Sequence, residues 1–207
     1  MTYGFHSCGH IWWSRKQRCH SKLVLESRAS LGNLDCMKKR IVERAGQAIF
    51  GKPLVSNNYR GILVEAIVAD ALGSGWNWVS EDWAAWDFER SDGVRLEVKQ
   101  SAALQSWHQS GLKKPNPRFD CAARTGRWEG SQWHPETQRF ADIYIFAYHG
   151  EMNAELADHR IPDQWTFFVV SEASLPVQKT IGLTKVRELA SQAHHINLQD
   201  VVEAQIK

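Results

Sequence analysis

Long apolar runs are missing from this 207-residue chain. None approaches the roughly eighteen residues of a membrane span, and Ile11-Trp12-Trp13 is too short for the apolar core of a signal peptide. Cysteine is scarce as well. Cys8, Cys19, Cys36 and Cys121 are spread unevenly, which argues against the disulfide framework of a small secreted domain and for free thiols. Net charge is only +2, so composition alone does not announce a nucleic-acid binder. Internal repeats and low-complexity tracts are absent too. Together these absences lead us to expect a soluble, cytoplasmic protein with no membrane partner.

What the chain does have is enough length and apolar content, 43% of residues, for one substantial core but hardly for two. It also has ten tryptophans, most of them beyond residue 70, where they should dominate core and groove surfaces. Residues 1–36 differ from the rest. They lack sustained periodicity and carry five basic residues against two acidic ones, a balance of +3 that leaves −1 for the remainder. A regular helical pattern begins only with Met37-Lys38-Lys39-Arg40-Ile41-Val42-Glu43. We therefore expect 1–36 to be an appendage, disordered or upstream of the true start, and 37–207 to form the functional domain. Cys8, His10, Cys19 and His20 could supply four zinc ligands, but neither pair has the usual Cys-x2-Cys or His-x3-His spacing.

A second helical pattern runs from Arg60 to Leu72, with Ile62, Leu63, Ile67, Ala71 and Leu72 as its apolar face and Asn57 or Asn58 as a candidate cap. Glu65 interrupts this otherwise unpolar helix. Gly73-Ser74-Gly75 ends it, and Trp76 to Ser80 alternates like a strand. Trp86 to Glu89 reads as a second strand, Ser91-Asp92-Gly93 as a turn, and Val94 to Gln100 as a third strand. Ser101 to Gly111 reads as a short helix or loop, and Leu112 to Arg139 as a long loop of functional kind. Ala141 to Tyr148 and Gln164 to Val170 look like buried strands, and Leu183 to Ala193 like a helix opened by Thr184.

The third strand is the most informative segment. Val94, Leu96 and Val98 alternate with Arg95, Glu97 and Lys99, so at period two the aliphatic residues face one side and the charges the other. Carboxylate and ammonium then arrive at one spot, with Asp87 ten residues before Glu97. That combination reads as a metal site with a lysine beside it.

This arrangement resembles the PD-(D/E)xK nuclease superfamily, which includes the type II restriction endonucleases. Asp87 matches the first acidic residue of the motif, Glu97 the second and Lys99 the lysine. Glu65 matches the acidic residue often found on the helix before the sheet, and Gln100 a recurrent neighbour of the lysine. Trp86 stands where the family usually has proline. The resemblance extends in element order from about Arg60 to Val170. It implies an α/β fold with a restriction-endonuclease-like core, a central mixed β-sheet flanked by helices in the order αβββαβ. The activity it implies is metal-dependent hydrolysis of DNA, restriction-like or repair-like, with Mg²⁺ as cofactor and Mn²⁺ as a substitute.

The chemistry explains these residue types. A phosphodiester is an anion attacked by an anion, so the site must neutralise charge and activate water near neutral pH. Asp87, Glu97 and the Val98 carbonyl offer hard oxygen ligands for the metal, and Glu65 could support a second ion or a water. Lys99 could orient or deprotonate the attacking water, and Gln100 could assist. Each residue also has an ordinary role open to it: Glu65 on a solvent edge, Asp87 capping a turn, Glu97 and Lys99 in an ion-pair ladder. Asp142 suits a hydrogen-bonded structural role, and His108, His134 and His149 stand alone as candidate bases.

For the DNA partner, the segment from Lys113 to Trp128 interleaves Lys113, Lys114, Arg118, Arg124 and Arg127 with aromatic residues. That pattern suits phosphate contacts and base stacking. A homodimer would suit a double-strand cutter. The competing expectation is a catalytically inactive nucleic-acid-binding or assembly protein of the same fold.

Overall fold

The computed structural model describes residues 34–79, 84–107 and 116–206. The chain divides into two compact units, Met1–Ala48 and Ile49–Lys207. The boundary falls within helix α1, residues 34–50. The four candidate zinc ligands lie outside the described residues, as do Lys113, Lys114 and His108. No helix among the described residues is long and apolar enough to cross a membrane.

The larger unit is mixed α/β. Helix α2 spans Asn57–Leu72 and leads into β1 (Trp76–Trp78), β2 (Phe88–Arg90) and β3 (Arg95–Ala102). After β4 (Arg118–Asp120), β5 (Arg127–Glu129) and β6 (Gln132–His134) come β7 (Ile143–His149), β8 (Trp165–Ser171) and β9 (Thr180–Gly182). Helix α3 (Leu183–Leu189), β10 (Ser191–Ala193) and helix α4 (Leu198–Glu203) close the chain. The central sheet has the order β1-β2-β3-β7-β8-β10 and is mixed: β3 and β7 are parallel, whereas every other neighbouring pair is antiparallel.

Period-two alternation sorts the sheet into two faces. Leu96, Val98, Ile143, Ile145, Phe167 and Val169 pack with Val64, Ile67, Val68 and Leu72 of α2 and with Leu198 and Val202 of α4. Tyr144, Phe146, Phe168 and Val170 pack on the other side with Phe119, Ile181, Leu183 and Val186. Glu97 and Lys99 pair in register with Tyr144 and Phe146, which puts them on this second face. The β2–β3 turn works as its sequence suggests. Gly93 adopts φ +88, the Arg90 amide donates to the Val94 carbonyl at 2.9 Å, and the Gly93 amide donates to the Arg90 carbonyl at 2.9 Å.

Four expectations need correction. Ser56, not Asn57 or Asn58, precedes the first turn of α2, and Asn57 instead turns its carboxamide toward Arg60. Strand β2 starts at Phe88, because the Asp87 side chain occupies a backbone donor of β3. Among the described residues between β3 and β7 there is no helix. Three short strands lie there, so the supposed long loop is partly built of strand. Finally, the helix from Leu183 stops at Leu189 with Gly182, not Thr184, at its start. Residues 191–193 become β10 because pairing with Phe167, Phe168 and Val169 satisfies the backbone edge of β8.

Candidate active site

Asp87 sits at the junction of three strands. Its amide donates to the Leu96 carbonyl at 2.9 Å, and its own carbonyl accepts from the Val79 amide at 2.8 Å. Its carboxylate Oδ2 accepts from the Val98 amide at 2.6 Å, which fixes the side chain against β3 beside Glu97. Asp142 does the same from the other flank, accepting from the Arg95 amide at 2.8 Å. It is a hydrogen-bonded structural residue.

Glu97 is only 4% exposed. A carboxylate buried to that degree needs compensating charge, and Glu97 has two sources. Lys99 forms an ion pair with its Oε1, and Arg124 Nη2 lies 3.2 Å from the same oxygen. Glu65 approaches from α2, where its Oε2 accepts from the Trp78 indole N–H at 3.0 Å. These groups converge electrostatically on Asp87. Burial, and then the charges of Glu97 and Glu65 against the opposing ammonium of Lys99, push the Asp87 carboxyl up to about 7.

The donor chemistry fits a hard divalent cation. Among the described residues no group of three or more His, Cys, Asp or Glu side chains is already gathered as for a metal, so two carboxylates carry the case. The hydrogen bonds use Asp87 Oδ2 and Glu97 Oε1, leaving Oδ1 and Oε2 for an ion, with the Val98 carbonyl next to Glu97 in sequence. An ion there would also relieve the repulsion that raises the Asp87 carboxyl.

Gln100 is not part of this cluster. Its Oε1 accepts from Arg60 Nε at 2.6 Å and its Nε2 donates to Asn57 Oδ1 at 3.3 Å, both on α2. Period-two parity foretold this, since Gln100 shares a face with Leu96 and Val98 rather than with Glu97 and Lys99.

The basic residues of the 113–128 segment have different fates. Arg118 is exposed on β4 and donates to the Thr180 hydroxyl at 2.9 Å. Arg127 is engaged within its own hairpin, paired with Glu129 at 2.7 Å and Glu136 at 2.8 Å and lying over the Phe140 ring. Arg124 alone among the three reaches the carboxylate cluster, with its side chain 48% exposed. Of the lone histidines, His134 lies 3.4 Å from Glu129 in the hairpin and His149 is fully buried on β7, away from this face. No protein-family model matches the chain, and a search of the curated proteins gives no match.

Proposed function

We propose that this chain is a metal-dependent endonuclease of the PD-(D/E)xK type, hydrolysing DNA phosphodiester bonds. The observation that carries the reading is the meeting of Asp87, Glu97 and Lys99 at the β2–β3 junction, with Glu65 close enough to act on the Asp87 charge. The succession α2, β1, β2, β3 in a mixed sheet, with β7 parallel to β3, supports it.

Asp87, Glu97 and the Val98 carbonyl would hold Mg²⁺, or Mn²⁺ in its place, with Glu65 behind them. Bound there, the ion supplies charge neutralisation and activation of water. Lys99, whose ammonium is paired with Glu97, donates hydrogen bonds that orient the attacking water and balance the charge growing on phosphorus. Arg124 can leave Glu97 for a phosphate oxygen without crossing the core, because half of its side chain already meets solvent.

The test is incubation of plasmid and single-stranded DNA with Mg²⁺, Mn²⁺ or chelator, beside Lys99→Ala and Asp87→Ala. Cleavage that needs metal and falls by about 100-fold or more in both variants is expected. Metal-independent cutting, or cutting unchanged by the substitutions, overturns the assignment. A second reading, a DNA-binding or assembly protein without cleavage, is favoured by the double engagement of Glu97 with Lys99 and Arg124. Its signature is salt-sensitive DNA retention with no cleavage under any metal.

A further inference from the structure

The β5–β6 hairpin places Trp128 directly opposite Trp133, so their side chains share one face. The two indoles lie 5.5 Å apart at 60°, yet remain 47% and 42% exposed. Two large aromatic surfaces left in water at one spot are a binding feature more often than a packing one. The arrangement is fixed from behind. A Cβ on Gly126 would come within 2.3 Å of the Trp133 ring and 2.5 Å of the His134 carbonyl, so only glycine lets the indole seat there.

Together with the tryptophans, Ala84 and Ala85 line a cleft of about 490 Å³, within the size range of small-ligand sites. Ala85 is two residues before Asp87. Arg124 lines the same cleft and touches Glu97, so this guanidinium is the shared wall between an aromatic slot and the carboxylate cluster. π-faces, small lining residues and a cation at the seam match a nucleotide: base in the slot, phosphate against Arg124.

We propose that this cleft takes one unpaired nucleobase beside the phosphate to be cut, so that the chain acts on single-stranded DNA or unpaired junctions rather than on continuous duplex. The proposal rests on the nuclease reading for the cutting, but not for the binding. A base within a duplex has both faces stacked and would first have to be extruded. An unpaired one enters without that cost.

The experiment uses a single-stranded oligonucleotide carrying 2-aminopurine, and the matching blunt duplex, with the full chain in chelator. Fluorescence reports stacking of the probe base, and titration gives both affinities. Tighter binding of the single strand is expected, with a change in probe fluorescence. Both should fall by about 10- to 100-fold when Trp128→Ala and Trp133→Ala are combined, and be kept when both become Phe. Gly126→Val, which evicts the Trp133 ring, should copy the loss without removing an aromatic. Equal affinity for strand and duplex, or binding untouched by the alanine variants, overturns the proposal, and absence of any fluorescence change returns the slot to a protein partner. Base stacking without cleavage in any metal leaves the cleft standing and removes the nuclease. Metal-dependent cleavage indifferent to the tryptophans does the reverse.

Discussion

Asp87→Asn should be more stable than the wild-type protein in chelator at about pH 8, while metal-dependent cleavage is lost. The reason is the position of Asp87 between burial and two acidic neighbours, which lifts its carboxyl from 3.8 to about 7. A carboxyl raised on folding lends stability below its unfolded value and forfeits it as pH climbs through the folded one. The window is therefore 3.8 to about 7, and above it the folded state carries a charge that the unfolded chain holds at no cost. At about 1.4 kcal/mol per pH unit the full difference is roughly 4 kcal/mol. Asparagine removes the charge but keeps an oxygen to accept from the Val98 amide, so about 2 to 3 kcal/mol should be recovered. For a domain of this size that is a Tm rise of roughly 5 to 10 °C. Denaturant titrations of both proteins in chelator check it: the gap should be near zero at about pH 4 and widen to about pH 8. A gap independent of pH, or a less stable variant, means that Asp87 is not held against repulsion. Added Mg²⁺ should raise the wild-type Tm and leave the variant unmoved.

How much of this was legible depends on the range over which each feature is encoded. The face assignment of Glu97 and Lys99, the Gly93 turn, helix α2 and strands β7 and β8 follow from local period and turn chemistry, and the sequence carries all of them. The same parity rule also places Gln100 away from Lys99, although the motif resemblance counts it with the site. Arg124 is different. Its contact with Glu97 spans 27 positions and depends on a bridge between Arg124 and Gln138 that no local pattern signals. The tryptophan pair lies between these cases. Trp128-Glu129-Gly130-Ser131-Gln132-Trp133 holds a turn glycine, with φ +59 at Gly130, between two aromatic positions. That pattern is a local hairpin signal, weaker than the Pro, Gly and Arg content that marks the surrounding segment as loop.

The second large effect should appear on acidification, at the other end of the sheet. His149 and His159 are both fully buried and meet edge-on at 4.8 Å, packed against Trp165. His159 Nδ1 accepts from the Val55 amide at 3.1 Å, so the folded ring is neutral at that nitrogen, and protonation there would leave a buried donor facing a donor. Burial first, then the nearby charges of His149 and Arg60, lower the ring from 6.5 to about 4. Arg60 is 2% exposed and held by the carboxamide oxygens of Asn57, Gln100 and Gln105, so its charge is satisfied by dipoles rather than cancelled by a carboxylate. For a base lowered on folding, the unfolded chain takes up its proton first. Stability is thus complete above 6.5 and lost as pH falls toward about 4, amounting to roughly 3 kcal/mol from His159 alone. Burial lowers His149 as well, which adds in the same direction. Asp87 runs oppositely over nearly the same window and masks the loss in the wild-type protein. The measurement is therefore made in Asp87→Asn, where stability should drop steeply from about pH 7 to about pH 4. Adding His159→Asn, whose carboxamide oxygen can still accept from the Val55 amide, should lower stability at neutral pH by opening space. It should also flatten the slope. An unchanged slope would assign the acid lability to groups other than His159, since only the loss of a titrating ring alters the proton uptake that the slope measures.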